Sequence, residues 1–234
     1  MLPGPADMLA TWEAAAGMPS VARGAVLVER AGLAPDLDTA LDLPVGRGAA
    51  LAARVHAEAF GAVVDGLLRC AACGEELEVA LPLEAVAADA GGETATVGGG
   101  LVVRAPTIRD LLLAGAAQDA ERTLLERCVS GPDGASIDPG SLSDDARAEV
   151  DAAAERLAGV AGLVVRATCP VCGADASAPL DVGALLWERV ARAARALLAE
   201  IAQLAGAYGW TEGEVLALTP LRRRAYLELA RRAT

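Results

Sequence analysis

The chain carries one short pattern twice, Cys70-Ala71-Ala72-Cys73-Gly74 and Cys169-Pro170-Val171-Cys172-Gly173, and nothing else in it restricts the fold so strongly. Each copy follows an apolar-basic stretch, Leu67-Leu68-Arg69 or Val164-Val165-Arg166, and precedes a strand-like run that includes Pro-Leu. Those runs, Leu77 to Leu83 and Ala174 to Leu180, predict a repeated strand–knuckle–strand unit. Cys-x-x-Cys lets one turn present two sulfurs to one ion, and a following glycine permits the tight backbone beneath it. Four thiolates suit a closed tetrahedral zinc site with no open position, so the ion is expected to be structural, not catalytic. Cys70, Cys73, Cys169 and Cys172 are the expected ligands of one zinc ion.

Zinc ribbons of the usual kind separate their knuckles by roughly 15–20 residues. Here 95 residues, Gly74 to Thr168, intervene, which predicts a split ribbon interrupted by a mostly helical insertion. The ion would fasten two distant segments, and its binding energy would be folding energy. The competing reading, two independent redox or disulfide pairs, leaves the matching strands unexplained. Cys128 stands outside the repeated pattern and reads as a buried structural thiol.

With 234 residues and 54% hydrophobic content, the chain can bury one substantial core or two small ones. Aromatic residues make up only 3%, so that core must come from Leu, Val and Ala, and alanine-rich packing favours helices. Every basic residue is Arg, and the net charge of −12 argues against general nucleic-acid binding, which needs a basic surface. The charge is uneven. From Gly183 to Thr234 eight arginines face five glutamates, a net of +3 that leaves −15 for the preceding residues. Such asymmetry suggests an acidic partner at one end, or an acidic front packed on a basic back. The single histidine, His56, reads as a helix-surface or packing residue, and no nucleophile–base arrangement, carboxylate pair or dinucleotide fingerprint accompanies it. No enzyme is expected. No secretory leader and no stretch of ~20 uncharged apolar residues is visible, so no membrane contact and a cytoplasmic location are expected.

Taken in order, residues 1–34 read as helical with a break at Pro19-Ser20, Ser20 being a candidate cap, and Pro35 to Pro44 as a loop. A helix is predicted over Arg47 to Leu68, a short helix or turn over Leu83 to Ala90, a strand at Leu101 to Arg104 and a helix over Ile108 to Val129. Ser130 to Ser143 is loop-like, and Ser141 or Ser143 opens a helix through Leu157. Asp181 caps a long helix from Val182 to about Tyr208 whose apolar stripe runs Leu186, Val190, Ala193, Leu197, Ile201, Leu204 and Tyr208. Gly209 ends it, Thr211-Glu212-Gly213-Glu214 is a capping-box pattern, and Thr219-Pro220 starts a last helix. The expected architecture is mainly α with a small β zinc ribbon. It comprises a helical region over 1–66, ribbon halves at 67–83 and 160–181, a mostly helical insertion over 84–159, and a C-terminal helical region over 182–234. The last holds one long helix and two short ones.

A set of landmarks adds a resemblance. They are Leu9-Ala10-Thr11-Trp12-Glu13, Leu43-Pro44-Val45-Gly46-Arg47, the first knuckle, Arg104-Ala105-Pro106-Thr107 with Asp110-Leu111, and Leu124-Leu125-Glu126-Arg127-Cys128-Val129. The second knuckle and Leu186-Trp187-Glu188 follow. The closing signature is Ala207-Tyr208-Gly209-Trp210-Thr211-Glu212-Gly213-Glu214-Val215-Leu216-Ala217-Leu218, then Pro220 and Arg222-Arg223-Arg224-Ala225-Tyr226-Leu227. In this order they resemble a family of baseplate proteins from contractile-tail phages and phage-tail-like injection systems, related to phage baseplate hub assembly chaperones. The resemblance spans nearly the whole chain. It implies a non-enzymatic component or assembly factor whose partners are baseplate, hub or spike proteins. Tyr208, Trp210, Arg222, Arg223, Arg224 and Tyr226 are the expected partner-binding residues. The alternative, motivated by the knuckles alone, is a zinc-ribbon adaptor for nucleic acid or a regulatory partner.

Overall fold

A computed structural model describes residues 4–232, and they form a mainly helical protein with small antiparallel sheets. Helix α1 (Pro5–Ala16) is followed by α2 (Ser20–Arg30). Ser20 is the first residue of α2 and not its cap: Pro19, held extended at φ −52° and ψ 146°, occupies that place. The expected loop over Pro35 to Pro44 contains a short helix, α3 (Leu37–Leu41). Its start is set by Asp36, whose carboxylate accepts the Thr39 N–H at 2.7 Å.

Helix α4 (Val45–Phe60) ends well before Leu68, because Gly61 turns the chain at φ 108°. The residues beyond it form strand β1 (Val63–Arg69) in place of the expected helical extension to Leu68. There the apolar period is two, not three to four. Val64 and Leu68 are each 4% exposed, while Val63 and Leu67 face out at 52% and 66%. β1 pairs antiparallel with β2 (Glu76–Pro82), which runs straight into α5 (Leu83–Ala88).

The middle segment contains a sheet as well as helices. β3 (Thr94–Thr96), β4 (Val102–Arg104) and β5 (Val129–Ser130) lie in that order, all antiparallel. Between β4 and β5 the single helix expected over Ile108 to Val129 is two, α6 (Ile108–Ala116) and α7 (Ala120–Cys128). Ala117 is extended, and the Asp119 carboxylate restarts the helix by accepting the Arg122 N–H at 2.9 Å. Ser143 caps α8 (Asp144–Ala158) as anticipated, and α8 lays Val150, Ala153 and Leu157 against Val103 and Val129 of the sheet. A second hairpin, β6 (Val164–Thr168) and β7 (Asp175–Pro179), leads into α9 (Val182–Tyr208).

Asp181 caps α9 through the Ala184 N–H at 2.9 Å, and Gly209, left-handed at φ 69°, ends it. Its 27 residues extend ~40 Å. The buried stripe passes through Ala191 and Ala194, not Ala193, and it ends at Leu204, since Tyr208 is exposed. The first half of α9 packs with α2 and α4 in the main core. The second half, with Leu9 of α1, covers a smaller core closed by α10 (Glu212–Leu216) and α11 (Pro220–Arg232) through Val215 and Leu227. The capping box at Thr211 and Glu214 forms as expected. Among the described residues, no helix is long and apolar enough to cross a membrane.

Two of the sequence landmarks meet at the start of α4 and α6. Pro44 bridges Thr107, and the Val45 N–H donates to the Pro106 carbonyl at 2.9 Å, so the two helices begin side by side. Gly46 is required there: a Cβ would stand 2.5 Å from the Ala158 carbonyl oxygen and 2.6 Å from that of Ala90. Beside this junction Asp110 is fully buried. It receives the Arg104 guanidinium at 2.6 and 3.1 Å, Arg127 Nε at 2.5 Å and the Thr107 N–H at 2.9 Å. Cys128 is buried next to it, as expected, and burial pushes its thiol up to about 11.

His56 proves to be a core residue, 1% exposed, with its ring edge-on to Phe60 and Nδ1 3.3 Å from the Gly61 carbonyl. Burial, with Arg189 nearby, lowers its pKa below the ordinary 6.5. Its neutral form is therefore favoured in the fold, and stability is complete above the unfolded-state value and falls as pH drops below it. His56→Leu is expected to flatten the fall in melting temperature that the wild type should show between pH 7 and 5, measured by thermal scans across that range.

Candidate metal centre

The two hairpins repeat each other residue by residue. Cys169 and Cys172 follow Cys70 and Cys73 by the same 99 residues, and the paired positions Arg69 and Glu76 correspond to Thr168 and Asp175. The correspondence continues past the strands, because α9 starts at Val182 where α5 starts at Leu83. Each unit is therefore a hairpin that feeds a helix, and both helices pack on α4.

The knuckles share one hydrogen-bond pattern. Gly74 N–H donates to the Cys70 carbonyl at 2.8 Å and Cys70 N–H to that of Glu75 at 2.8 Å. The second copy has Gly173 to Cys169 at 2.9 Å and Cys169 to Ala174 at 2.8 Å. Gly74 and Gly173 take φ of 79° and 73°, a left-handed conformation that a side chain would strain. The glycine after each Cys-x-x-Cys thus has the backbone role its position implied.

The structure brings the four predicted sulfurs together, all within 4.8 Å of one another. The close approaches cross between hairpins: Cys70 Sγ lies 3.7 Å from Cys172 Sγ, and Cys73 Sγ lies 3.6 Å from Cys169 Sγ. First cysteine meets second cysteine in both cases, as a local two-fold would require. A tetrahedral ion with bonds of ~2.3 Å to sulfur needs edges of about 3.8 Å, so the cluster fits one ion of that kind. Cys70 and Cys169 are buried over Leu68, Leu77 and Ala176, while Cys73 and Cys172 face solvent.

The electrostatics point the same way. N–H groups of Cys73 and Ala72 aim at the Cys70 sulfur and draw its pKa down to about 7. Cys73 accepts from the Glu75 N–H, yet the sulfurs of Cys172 and Cys169 beside it push it up to about 12. Four sulfurs at this spacing cannot all ionise without a cation among them. The arrangement can hold a metal with all four ligands supplied by protein.

Comparison with protein families, curated proteins and solved structures finds no match to this chain.

The predicted partner-binding residues divide into two groups. Tyr208 stacks on Trp210 with centroids 4.7 Å apart, and Tyr226 stands edge-on to Trp210 at 4.8 Å. The Tyr208 hydroxyl donates to the Tyr226 carbonyl at 3.1 Å. Arg222 and Arg224 are exposed on α11. Arg223 is turned inward: it is 6% exposed, with Nε on Glu200 at 3.0 Å and a second donor on the Leu218 carbonyl at 2.8 Å. It ties α11 to α9. Its position one step from two exposed arginines gives no sign of this in the sequence. Asp110 was visible only as a landmark, although Thr107-x-x-Asp110 after a proline is a capping-box signal.

Proposed function

We propose that the four cysteines bind one zinc ion as a split ribbon. In this reading the chain is a non-enzymatic baseplate component, or a baseplate or hub assembly factor, of a contractile phage-tail-like injection system. The ion, held by Cys70, Cys73, Cys169 and Cys172, supplies a fixed cross-link and no reactive position. It clamps the two hairpins, and through them α5 and α9, against α4.

The observation that carries the assembly reading is the closing signature, whose residues form one corner of the molecule. Tyr208, Trp210 and Tyr226, half of the six aromatic residues in the chain, cluster there. Beside them α11 exposes Leu221 at 78% and Leu229 at 54%, flanked by Arg222 and Arg224. Aromatic and arginine side chains around an apolar centre are what protein interfaces favour. The functional contact is accordingly with protein, and the baseplate, hub and spike proteins of the particle are the partners.

Pull-down of a tagged chain from cells that produce the particle tests this reading. Tail or spike proteins should be recovered, and the combined Leu221→Ala, Arg222→Ala and Arg224→Ala variant should reduce that recovery at least tenfold at an unchanged melting temperature. Recovery of no such protein by the wild type, with intact particle assembly in the variant, would refute it.

A further inference from the structure

A cavity of about 260 Å³ lies between α2, α4, α6 and the first turn of α9, and Val21, Pro179 and Ala184 of its lining are exposed. It lies away from the cysteines and from the aromatic corner. Protein interiors leave few voids larger than a water molecule, and an apolar cavity of about 150 Å³ already admits benzene. This one has room for a bicyclic ring. Its walls are aliphatic, with Val28, Ala52 and Val182 at the base.

The glycines around the cavity separate packing from vacancy. Gly24 and Gly183 are explained by the crossing of α2 and α9: a Cβ on Gly24 would lie 3.2 Å from the Gly183 Cα. Gly48 is different. It sits within α4 with no positive φ, and an added Cβ would meet nothing within 4 Å. Neither backbone conformation nor a close neighbour requires glycine there, and glycine lowers helix propensity relative to alanine. Gly48 is one of the residues that line the cavity, so its missing side chain leaves that part of the wall bare.

We propose that this cavity is a binding site for an apolar ring of about the size of an indole, carrying a hydrogen-bond donor on one edge. The donor is called for by the rim, where the polar side chains of the lining are the exposed Ser20 and Asp181. The Ser20 hydroxyl can accept as well as donate, and the acceptor-only Asp181 carboxylate, whose Oδ1 takes the Ala184 N–H, has its Oδ2 left to offer. The same chemistry comes from a free small molecule or from a tryptophan side chain of another protein.

The test titrates indole into the full-length metal-loaded chain and follows its methyl resonances. Indole should shift the methyls of Val28 and Val182 while leaving Val215, in the C-terminal core, unchanged. Gly48→Leu, which fills the space, should weaken indole at least tenfold and melt no lower than the wild type. Gly48→Ala should bind indole and melt higher. N-acetyl-tryptophanamide then separates the sources: binding as tight as indole upholds the site as one for a protein side chain, and exclusion upholds it as one for a free molecule. Unshifted Val28 and Val182 methyls in the wild type, or equal indole binding by Gly48→Leu, would overturn the proposal.

Discussion

With a metal ion bound by the four cysteines as proposed, stripping it is expected to lower the melting temperature of this protein by roughly 10–20 °C. The four sulfurs join two segments separated by 95 residues, and little else holds the hairpins together. Their shared apolar floor consists of Leu68, Leu77 and Ala176, flanked by Val79, Ala167, Ala174 and Ala178, mostly one-carbon side chains. Without the ion, two-stranded hairpins of this size are marginal by themselves. In a chain-entropy treatment, cross-linking a loop of this length contributes about 4–5 kcal/mol, and each kcal/mol moves the midpoint of a chain this size by about 2–4 °C. Cys169→Ser should reproduce the effect of a strong chelator, and the two together should be no worse than either. Cys128→Ala, remote from the cluster, should not abolish metal binding. Hydrogen exchange should accelerate across β1, β2, β6 and β7, while Leu204 and Val215 in the C-terminal core keep their protection. Elemental analysis should find one zinc per chain. A melting temperature indifferent to chelation would remove the clamp from the account of this fold.

The cysteine cluster was legible because its chemistry is local: each Cys-x-x-Cys-Gly needs only its own turn, and the duplicate strands announced that the turns belong together. Which sulfur approaches which was not legible, since that depends on how two hairpins 99 residues apart are related in space. Helix boundaries followed the same division. Ser143, Asp181, Gly209 and Thr211 marked ends that the structure keeps, because a cap acts within three or four residues. The end of α4 was missed because Val63, Val64 and Leu67 satisfy a helical spacing as well as a strand's. Gly61 and the adjacent β-branched pair were the signal that decided it. Burial of Arg223 and the cavity beside Gly48 could not be read in advance. Both depend on α9, whose neighbours are set by the whole core and not by adjacent residues.

Asp110→Asn is expected to cost about 2–4 kcal/mol, roughly 5–15 °C in melting temperature, the larger of the effects outside the cysteine cluster. Breaking a buried charge pair typically costs 3–5 kcal/mol, but Arg104 and Arg127 are 36% and 38% exposed, and solvent screens part of the loss to ~2–4 kcal/mol. Burial alone would raise the pKa of Asp110. The Arg104 and Arg127 guanidinium groups and the Thr107 N–H outweigh it and hold the carboxyl well below the usual carboxylate range. Because the folded value is depressed, this stabilisation is complete above the unfolded-state value near 3.8 and is lost as pH falls through the folded one. The wild-type and Asp110→Asn melting curves should therefore run parallel from pH 7 to 5, where His56 sets the slope, and converge in stronger acid. Thr107→Ala, which removes the cap but leaves both ion pairs, should cost only about 1 kcal/mol. The physical reason Asp110 matters is its position. It joins the end of β4, the start of α6 and the end of α7, where Arg104, Thr107 and Arg127 come from three parts of the middle segment. Since α6 begins alongside α4, a loosened Asp110 should also disturb the Pro44–Thr107 bridge. Equal melting temperatures for wild type and Asp110→Asn at pH 7 would show that the two arginines are held by solvent as well as by the carboxylate, and that the junction stands on the Val45–Pro106 hydrogen bond and apolar packing.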